Sequence, residues 1–574
     1  MPVHNTEIAN IFDKLADLLE IEDANPFRVR AYRNAARTIR GDARSMAALI
    51  KQGEDLSKLP DIGKDLAEKI RTIVETGKLP LLDEIQTRTP PALSDMMKMK
   101  GLGPKRVKTL YKKLKIESID DLKRAARSGK IRELEGFGKK TEQMIQQRVE
   151  RYTGETTRTK LIEAEDIAMT LVAYLKKSNG IKKITIAGSY RRCKETVGDL
   201  DILVTAKKNS NVIDRFVKYD EVDNVISKGT TRSTVELRTG LSVDLRVVPE
   251  VSYGAALHYF TGSKAHNIAI RRIGVKKGYK VNEYGIFKGD KRIAGKTEEE
   301  VYKKVGLPYI SPELRENRGE IEAARKSQLP ELITIEDIQG DLHCHSKASD
   351  GHNSLKEMAE AAANKGYQYV SINDHSKHVS VAHGLNKKRL LEQIKQIDSL
   401  NEKLENIVVL KSSEVDILDD GRLDLPDSIL KELDFTVCAV HYKFNLTRKQ
   451  QTERILRAMD NHNFNILAHP TGRLINEREA YRVDLEKIMQ AAKERGIFLE
   501  LNAYPDRLDL TDESCMLAKE LGVKIAISTD AHKTSDLDFM RFGINQARRG
   551  WLEASNVINT LDLKELRKLF KRNL

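Results

Sequence analysis

Apolar residues recur every three to four positions through the first 150 residues, as in residues 8–20 (IANIFDKLADLLE) and 66–74 (LAEKIRTIV). That period predicts amphipathic helices. From about residue 181 the pattern changes: residues 181–204 (IKKITIAGSYRRCKETVGDLDILV) read as a strand, a turn at Gly188-Ser189, a basic hairpin and a second strand, and residues 242–248 as another apolar strand. Beyond residue 338 seven apolar runs alternate with helical segments: IQGDLHCH, YQYVSIN, IVVLKSSE, FTVCAVH, FNILAH, GIFLELN and VKIAISTDAH. Such alternation predicts parallel strands joined by crossover helices, seven of them making a (β/α)7 barrel. The chain is therefore expected to be multidomain, with a helical amino-terminal region, an α+β middle and a carboxy-terminal barrel.

The length of 574 residues agrees, since roughly 150 residues per domain suggests about four units. With 40% hydrophobic and 32% charged residues, and a mean hydropathy of -0.49, neither disorder nor a membrane span is expected. The amphipathic amino terminus is unlike a signal peptide, so a cytoplasmic protein is expected. Cys193, Cys344, Cys438 and Cys515 show no C-x-x-C spacing, which argues against a disulfide framework or thiolate zinc site. Lys plus Arg exceeds Asp plus Glu by 99 − 85 = 14, and the pI of about 9.2 points to a polyanionic partner. The charged, proline-bounded stretch from Ser311 to about Ile338 reads as an interdomain linker.

Three segments of the helical region repeat one pattern: residues 59–64 (LPDIGK), 99–105 (MKGLGPK) and 134–139 (LEGFGK). Each precedes an amphipathic helix. The candidate contacts are Gly63, Gly101, Gly103, Lys105, Gly136 and Gly138, whose turns would present helix-start N–H groups to a DNA phosphate. A glycine-closed turn between packed helices is the alternative. The repeats resemble helix-hairpin-helix DNA-binding modules, although Asp61 stands where the usual first glycine would be.

Side chains alternate along a strand, so Asp199 and Asp201 share one face, and Asp244 on another strand could complete a carboxylate cluster. Hard oxygen ligands suit Mg²⁺ or Mn²⁺, and a two-ion site can activate a 3′-hydroxyl and neutralise a pyrophosphate leaving group. Gly188, Ser189 and Arg192 would serve phosphates. These motifs, with Tyr259-Phe260-Thr261-Gly262-Ser263, Asn267, Arg271 and residues 281–284 (VNEY), resemble the family X DNA polymerases, typified by DNA polymerase beta, from the amino terminus to about residue 318. The resemblance implies that Asp199, Asp201 and Asp244 ligate the metals. Ser189 and Arg192 would bind the triphosphate, Tyr259 and Gly262 would lie at the sugar, and Asn267 and Arg271 would face the nascent pair and template. Lys69 matches the lysine that forms a Schiff base in deoxyribose-phosphate removal, while Asp65 stands where the family commonly has a basic residue.

Of 13 histidines, ten lie between His343 and His532. Polar residues cluster at the carboxy ends of the apolar runs: His343, His345, Asp374-His375, Glu414, His441, His469, Asp530 and His532. Folding alone does not require histidine there, and the mixture of imidazole and carboxylate suits Zn²⁺, Mn²⁺ or Fe²⁺. HCHSKASDG, NDH, SSE, VH, AHP and STDAH resemble the motifs of the PHP phosphoesterase family over about residues 338–574. The resemblance implies one ion on His343, His345, Glu414 and Asp530, and a second on His441 and His469 bridged by Glu414. A third would sit on Asp350, His375 and His532. Arg473, after His469-Pro470, is a candidate phosphate stabiliser.

The resulting expectation is a helical lyase-like DNA-binding domain (1–82), helix-hairpin-helix fingers (83–150), a nucleotidyltransferase palm (151–252), a thumb at the nascent pair (253–318), a linker (319–337) and a PHP domain (338–574). Mg²⁺ would serve the polymerase site and up to three Mn²⁺ or Zn²⁺ ions the PHP site. A monomer acting on gapped or nicked DNA with dNTPs is expected. The expected function is short-gap filling in DNA repair, coupled to a 3′–5′ exonuclease or 3′-end phosphoesterase, with AP endonuclease activity as an extension. The alternative is a repair nuclease whose polymerase-like half only positions DNA.

Overall fold

The computed structural model describes residues 5–41, 46–59, 61–99, 102–151 and 158–570. The chain divides into two compact units, 1–157 and 158–574. Among the described residues, no helix is long and apolar enough to cross a membrane.

The first unit is helical, including α1 (Asn5–Ile21), α2 (Pro26–Gly41), α3 (Lys64–Thr76), α4 (Pro104–Leu114) and α5 (Lys139–Arg151). The apolar stripes close a core in which Phe12 meets Tyr32 edge-on, with ring centroids 5.5 Å apart, beside buried Leu15, Ile70 and Leu110. The repeat seen in the sequence is a repeat of hydrogen bonds. Ile62, Leu102 and Phe137 donate from their backbone N–H to the carbonyls of Leu59, Met99 and Leu134, and Ala67, Val107 and Glu142 donate to those of Gly63, Gly103 and Gly138. Asp61 has φ +61° and Gly136 φ +83°, so the aspartate adopts the left-handed backbone that its glycine counterpart adopts freely. Gly101 lies outside the described residues.

In the second unit a five-stranded sheet is built from β1 (Ile181–Ile186), β2 (Asp199–Ala206), β3 (Val222–Lys228), β4 (Arg232–Leu237) and β5 (Ser242–Val247), in the order β1-β2-β5-β4-β3. The β2–β5 pair is parallel and the others antiparallel. Helices α6 (Tyr253–Thr261) and α7 (Lys264–Lys276) follow. The carboxy-terminal strands are β6 (Gly340–Cys344), β7 (Tyr369–Ile372), β8 (Val408–Lys411), β9 (Glu414–Asp416), β10 (Val437–Ala439), β11 (Ile466–Leu467), β12 (Phe498–Asn502) and β13 (Ile525–Ser528). All their pairings are parallel. They form a three-stranded and a five-stranded sheet, and parallel bridges from Cys344 to Ala531 and from His375 to Glu414 link the two. The third apolar run is divided at Ser412-Ser413, which is why seven runs yield eight strands.

The stretch read as a linker is packed. Glu320, Ile321, Ala324 and Ile333 are buried, and Ile333 N–H donates to the Leu552 carbonyl at 3.0 Å. Its few apolar residues sit where a short helix, Glu320–Arg325, turns them inward. The α+β region and the carboxy-terminal half also share core: Ile475, Leu508 and Phe542 pack with residues of the five-stranded sheet β1–β5, and Trp551 packs against the cluster that holds Ile270, Tyr302 and Ile321. Ion pairs cross the same boundary, with Lys160 Nζ 2.6 Å from both Glu477 and Asp506.

Candidate active sites

The strand pairing decides the polymerase-like site. Asp201 on β2 stands opposite Asp244 on β5, and Asp199 is two residues before Asp201 on the same face. Gly188, at φ +64°, comes so close that a Cβ there would lie 2.6 Å from Asp201 Oδ2. Burial first, then Asp199 and Asp244, pushes the Asp201 carboxyl up to about 7. A cation among the three relieves that repulsion, and an all-oxygen donor set fits Mg²⁺. Asp244 is also bonded elsewhere: the Thr234 hydroxyl donates to Oδ1, and Arg232 Nη2 lies 3.4 Å from Oδ2. The three carboxylates are not among the groupings whose ligand atoms all lie within 4.8 Å of one another.

Around this centre Ser189 lies in a one-turn helix, Gly188–Arg191. Arg192 donates from Nε to Glu316 at 3.0 Å and from Nη1 to the Thr261 carbonyl at 2.5 Å. Gly262 adjoins it, since a Cβ there would lie 3.2 Å from Arg192 Nη1. Asn267 Nδ2 donates to the Tyr259 carbonyl at 2.7 Å, while its Oδ1 is buried without a partner. Arg271 Nε donates to the Asn267 carbonyl at 3.4 Å. Thus Arg192, Gly262, Tyr259, Asn267 and Arg271 form one connected group.

In the helical unit, Lys69 is ion-paired with Asp65 one turn earlier on α3. Gly63 and Gly103 are the N-caps of α3 and α4 in extended conformation, and a Cβ on Gly63, Gly103 or Gly138 would meet nothing within 4 Å. The fold does not demand glycine at these three positions, so the bare backbone leaves room for an approaching partner. Lys105 follows Gly103 in the first turn of α4.

The histidine-rich site is denser. Ligand atoms of His345, Asp350, His375 and His532 lie within 4.8 Å of one another, as do those of His343, His345 and Asp530, and those of His375, Glu414 and His441. Glu414 sits between two sides. Its Oε2 faces His375 Nδ1 at 2.8 Å and His343 Nε2 at 3.5 Å, and its Oε1 faces His469 Nε2 at 2.9 Å and His441 Nε2 at 3.1 Å. His345 and His375 are each shared by two groupings, and these differ from the expected sets: Glu414 groups with His375 and His441 rather than with His343, His345 and Asp530, and His469, 2.9 Å from Glu414, is in none of the three.

The donor set fits cations. Nε2 of His343 and of His345 face each other at 3.2 Å, and His345 Nδ1 and His469 Nδ1 are buried without a hydrogen bond. Burial opposes charge on His343, but Glu500, Asp530 and Glu414 outweigh it and hold its pKa well above the ordinary value. Burial and His532 instead push His345 down to about 4. Imidazoles mixed with carboxylates suit Mn²⁺ or Zn²⁺.

Comparison with known proteins matches both halves of the chain. Family profiles match in chain order: a helix-hairpin-helix domain at residues 3–79, a SAM-like helix-hairpin-helix tandem at 93–151, the DNA polymerase beta palm at 158–274, the DNA polymerase beta thumb at 256–316 and a PHP domain at 341–504. The chain is 39% identical over 575 residues, all of both chains, to the DNA polymerase/3′-5′ exonuclease PolX of Bacillus subtilis (strain 168). This chain belongs to the family X DNA polymerases that carry a carboxy-terminal PHP domain. A probable phosphatase of Thermoanaerobacter sp. (strain X514) is 32% identical over 40% of this chain and 94% of its own, and DNA polymerase lambda of Arabidopsis thaliana is 26% identical over 55% and 62%.

For a member of this family, sequence reading missed the residues that orient the candidate ligands. His343 Nδ1 lies 2.7 Å from Glu500, and His441 Nδ1 lies 3.0 Å from Asp416. Asp416 was detectable, since it follows Glu414 by two on one strand. Glu500 was hidden inside an apolar strand, although a buried lone carboxylate is itself a signal. Arg473 is corrected: its side chain, 14% exposed, pairs with Glu195 at 2.6 Å and donates to the Leu508 carbonyl. It ties the PHP region to the palm hairpin instead of serving a phosphate.

Proposed function

We propose that the polymerase half extends 3′ ends across short gaps in DNA from dNTPs, and that the PHP half trims or cleans 3′ ends in repair. The observation that carries the reading is the coexistence of a carboxylate-bearing palm sheet and three groupings of histidines and carboxylates that could hold metal ions in one compact unit. When bound, divalent ions would lower the pKa of the attacking hydroxyl or water and neutralise phosphate charge.

The chain's own residues then act as follows. Asp199, Asp201 and Asp244 would hold Mg²⁺ and orient the primer 3′-hydroxyl. Arg192 and Ser189 would donate to the triphosphate, and Asn267, whose Oδ1 is without a partner, would face the nascent pair. In the PHP half Glu500 and Asp416 hold the Nδ1 protons of His343 and His441, leaving Nε2 as the coordinating atom. His532 Nδ1 likewise meets the Asp530 carbonyl at 2.8 Å. The hairpin turns would hold DNA phosphates without reading bases. AP-site incision at the PHP centre and action as a monomer complete the proposal.

A gapped duplex with a labelled primer tests it. Asp201→Asn should lower extension by several orders of magnitude and leave 3′ hydrolysis intact, while His345→Ala should do the reverse. Full 3′ hydrolysis by His345→Ala, with its loss in Asp201→Asn, would move hydrolysis to the palm and defeat the reading.

A further inference from the structure

The loop that leaves the ligand His375 comes back to it: Leu385 N–H donates to the His375 carbonyl at 2.6 Å, and Ser376 and Leu385 form a parallel bridge. Helix α8 (Lys387–Asn401) starts directly afterwards, with Asn386 as its N-cap. Its inner face buries Leu390, Gln393, Ile394 and Ile397, and Gln393 Nε2 reaches Asp374, the neighbour of His375. The outer face and the loop border an open cleft of about 610 Å³, lined by Lys377, Lys387, Lys388, Lys395, Leu391 and Glu392, with Asn386 at its edge.

The lysines differ from many others in this half. Lys365, Lys411, Lys443, Lys519 and Lys568 each pair with a carboxylate. Lys377, Lys387, Lys388 and Lys395 are exposed, and among the described residues none has a carboxylate within 4.0 Å. Arg389, beside them, spends its guanidinium on the backbone carbonyls of His383, Gly384 and Ala348, bracing the loop. Four like charges around one concavity, against a single Glu392, repel one another and focus a positive potential. The fold gives up nothing by releasing them to a polyanion. The cleft is open, so a polyanion can reach its lysines.

From this geometry we infer that the cleft binds the phosphodiester backbone of the single-stranded 3′ segment whose end enters the PHP centre. The inference rests on reading the PHP half as a 3′ nuclease. Lys377 follows the ligand His375 by two residues, and Lys387 follows Leu385, which bonds back to His375, by two. Lys388 and Lys395 carry the path along the helix.

The test uses the full chain and single-stranded oligonucleotides of two and twelve residues. In the parent, the twelve-mer should show a lower KM for 3′ hydrolysis and a steeper salt dependence than the dimer. Changing Lys377, Lys387, Lys388 and Lys395 together to Gln should raise the twelve-mer KM about tenfold or more and reduce the slope of log KM against log salt by about 0.7 per lost phosphate contact. The dimer kinetics, kcat and gap filling should stay near the parent values, as should a control carrying Lys365→Gln and Lys443→Gln. An unchanged twelve-mer KM and salt slope would overturn the inference, as would an equal change in the control. His345→Ala separates the two levels: if it retains 3′ hydrolysis, the nuclease reading itself fails. If it is inactive while the four-lysine variant behaves like the parent, only the cleft assignment fails.

Discussion

At the scale of single residues, orientation matters as much as ligation. Glu500 is fully buried and touches two candidate ligands, accepting from His343 Nδ1 and, at 2.7 Å, from the His469 backbone N–H. Asp416 plays the corresponding part for His441. Glu500→Gln and Asp416→Asn keep shape but weaken acceptance of the imidazole proton, so each should lower Mn²⁺ affinity of the PHP half by about 10- to 100-fold. Calorimetric titration of the full chain with Mn²⁺ reads this directly, and excess Mn²⁺ should restore 3′ hydrolysis. Unchanged affinity would show that packing alone holds the rings. At Lys69 the amine is engaged by Asp65 and must leave that pair to attack an aldehyde. Borohydride trapping of a 5′-deoxyribose phosphate should therefore be weak in the parent, stronger in Asp65→Asn and absent in Lys69→Ala. Equal trapping in all three would remove Lys69 from the chemistry.

At the scale of elements, the hairpin turns separate two uses of glycine. Gly136 has a left-handed backbone, where a side chain is strained whatever the space around it. Gly103 does not, and a Cβ there is free of contacts within 4 Å. Gly103→Val should therefore fold, costing about 1 kcal/mol or less as a poorer N-cap, while its branched side chain blocks a phosphate from the helix start. Gap binding, measured by anisotropy near physiological salt, should weaken several-fold with thermal stability nearly unchanged. Parental affinity would leave the turn a purely structural one. The sequence pattern made the three turns visible because each repeats the same carbonyl-to-amide geometry. It also made Asp61 look like a departure, whereas its φ of +61° shows aspartate taking the glycine conformation.

At the scale of the molecule, the two catalytic halves of residues 158–574 are joined through buried charge. Arg549, near the carboxy terminus, donates to Glu316 at 3.0 Å, to the Arg192 carbonyl at 2.8 Å and to Asp512 at 2.6 Å. Glu316 in turn holds Arg192. Burial alone would raise the Glu316 carboxyl, but Arg549, Arg192 and Lys194 hold it at about 2. A depressed folded pKa stabilises the docked halves above the ordinary carboxylate value of about 4.5. That contribution is lost as pH falls from there toward about 2. Thermal melts between pH 6 and 3 should show this loss, and Glu316→Gln should flatten it. Arg549→Ala removes one of the two arginines that pair with each of Glu316 and Asp512, leaving Arg192 and Arg318, so it should lower stability by about 1–3 kcal/mol and raise the KM for dNTP through Arg192. A parental melting temperature and KM would mean the contact is incidental.

The sequence by itself determined the order of the regions and most of the candidate ligands, because strand alternation and strand-end placement are local rules. Asp199 with Asp201, and His343 with His345, are two apart and must share a face. What only the tertiary structure decided is which distant residues meet. Glu500, inside an apolar run, becomes a partner of His343 only when β12 and β6 come into reach. Arg473 turns from the histidine centre to Glu195 because the palm hairpin lies against it. The stretch after Ser311 reads as a solvated linker from composition, yet Glu320 is fully buried against His266, at 2.6 Å, a partner 54 positions away. Composition records how many charges a segment carries. Whether they face water or one another depends on pairings between remote elements, which no local pattern encodes.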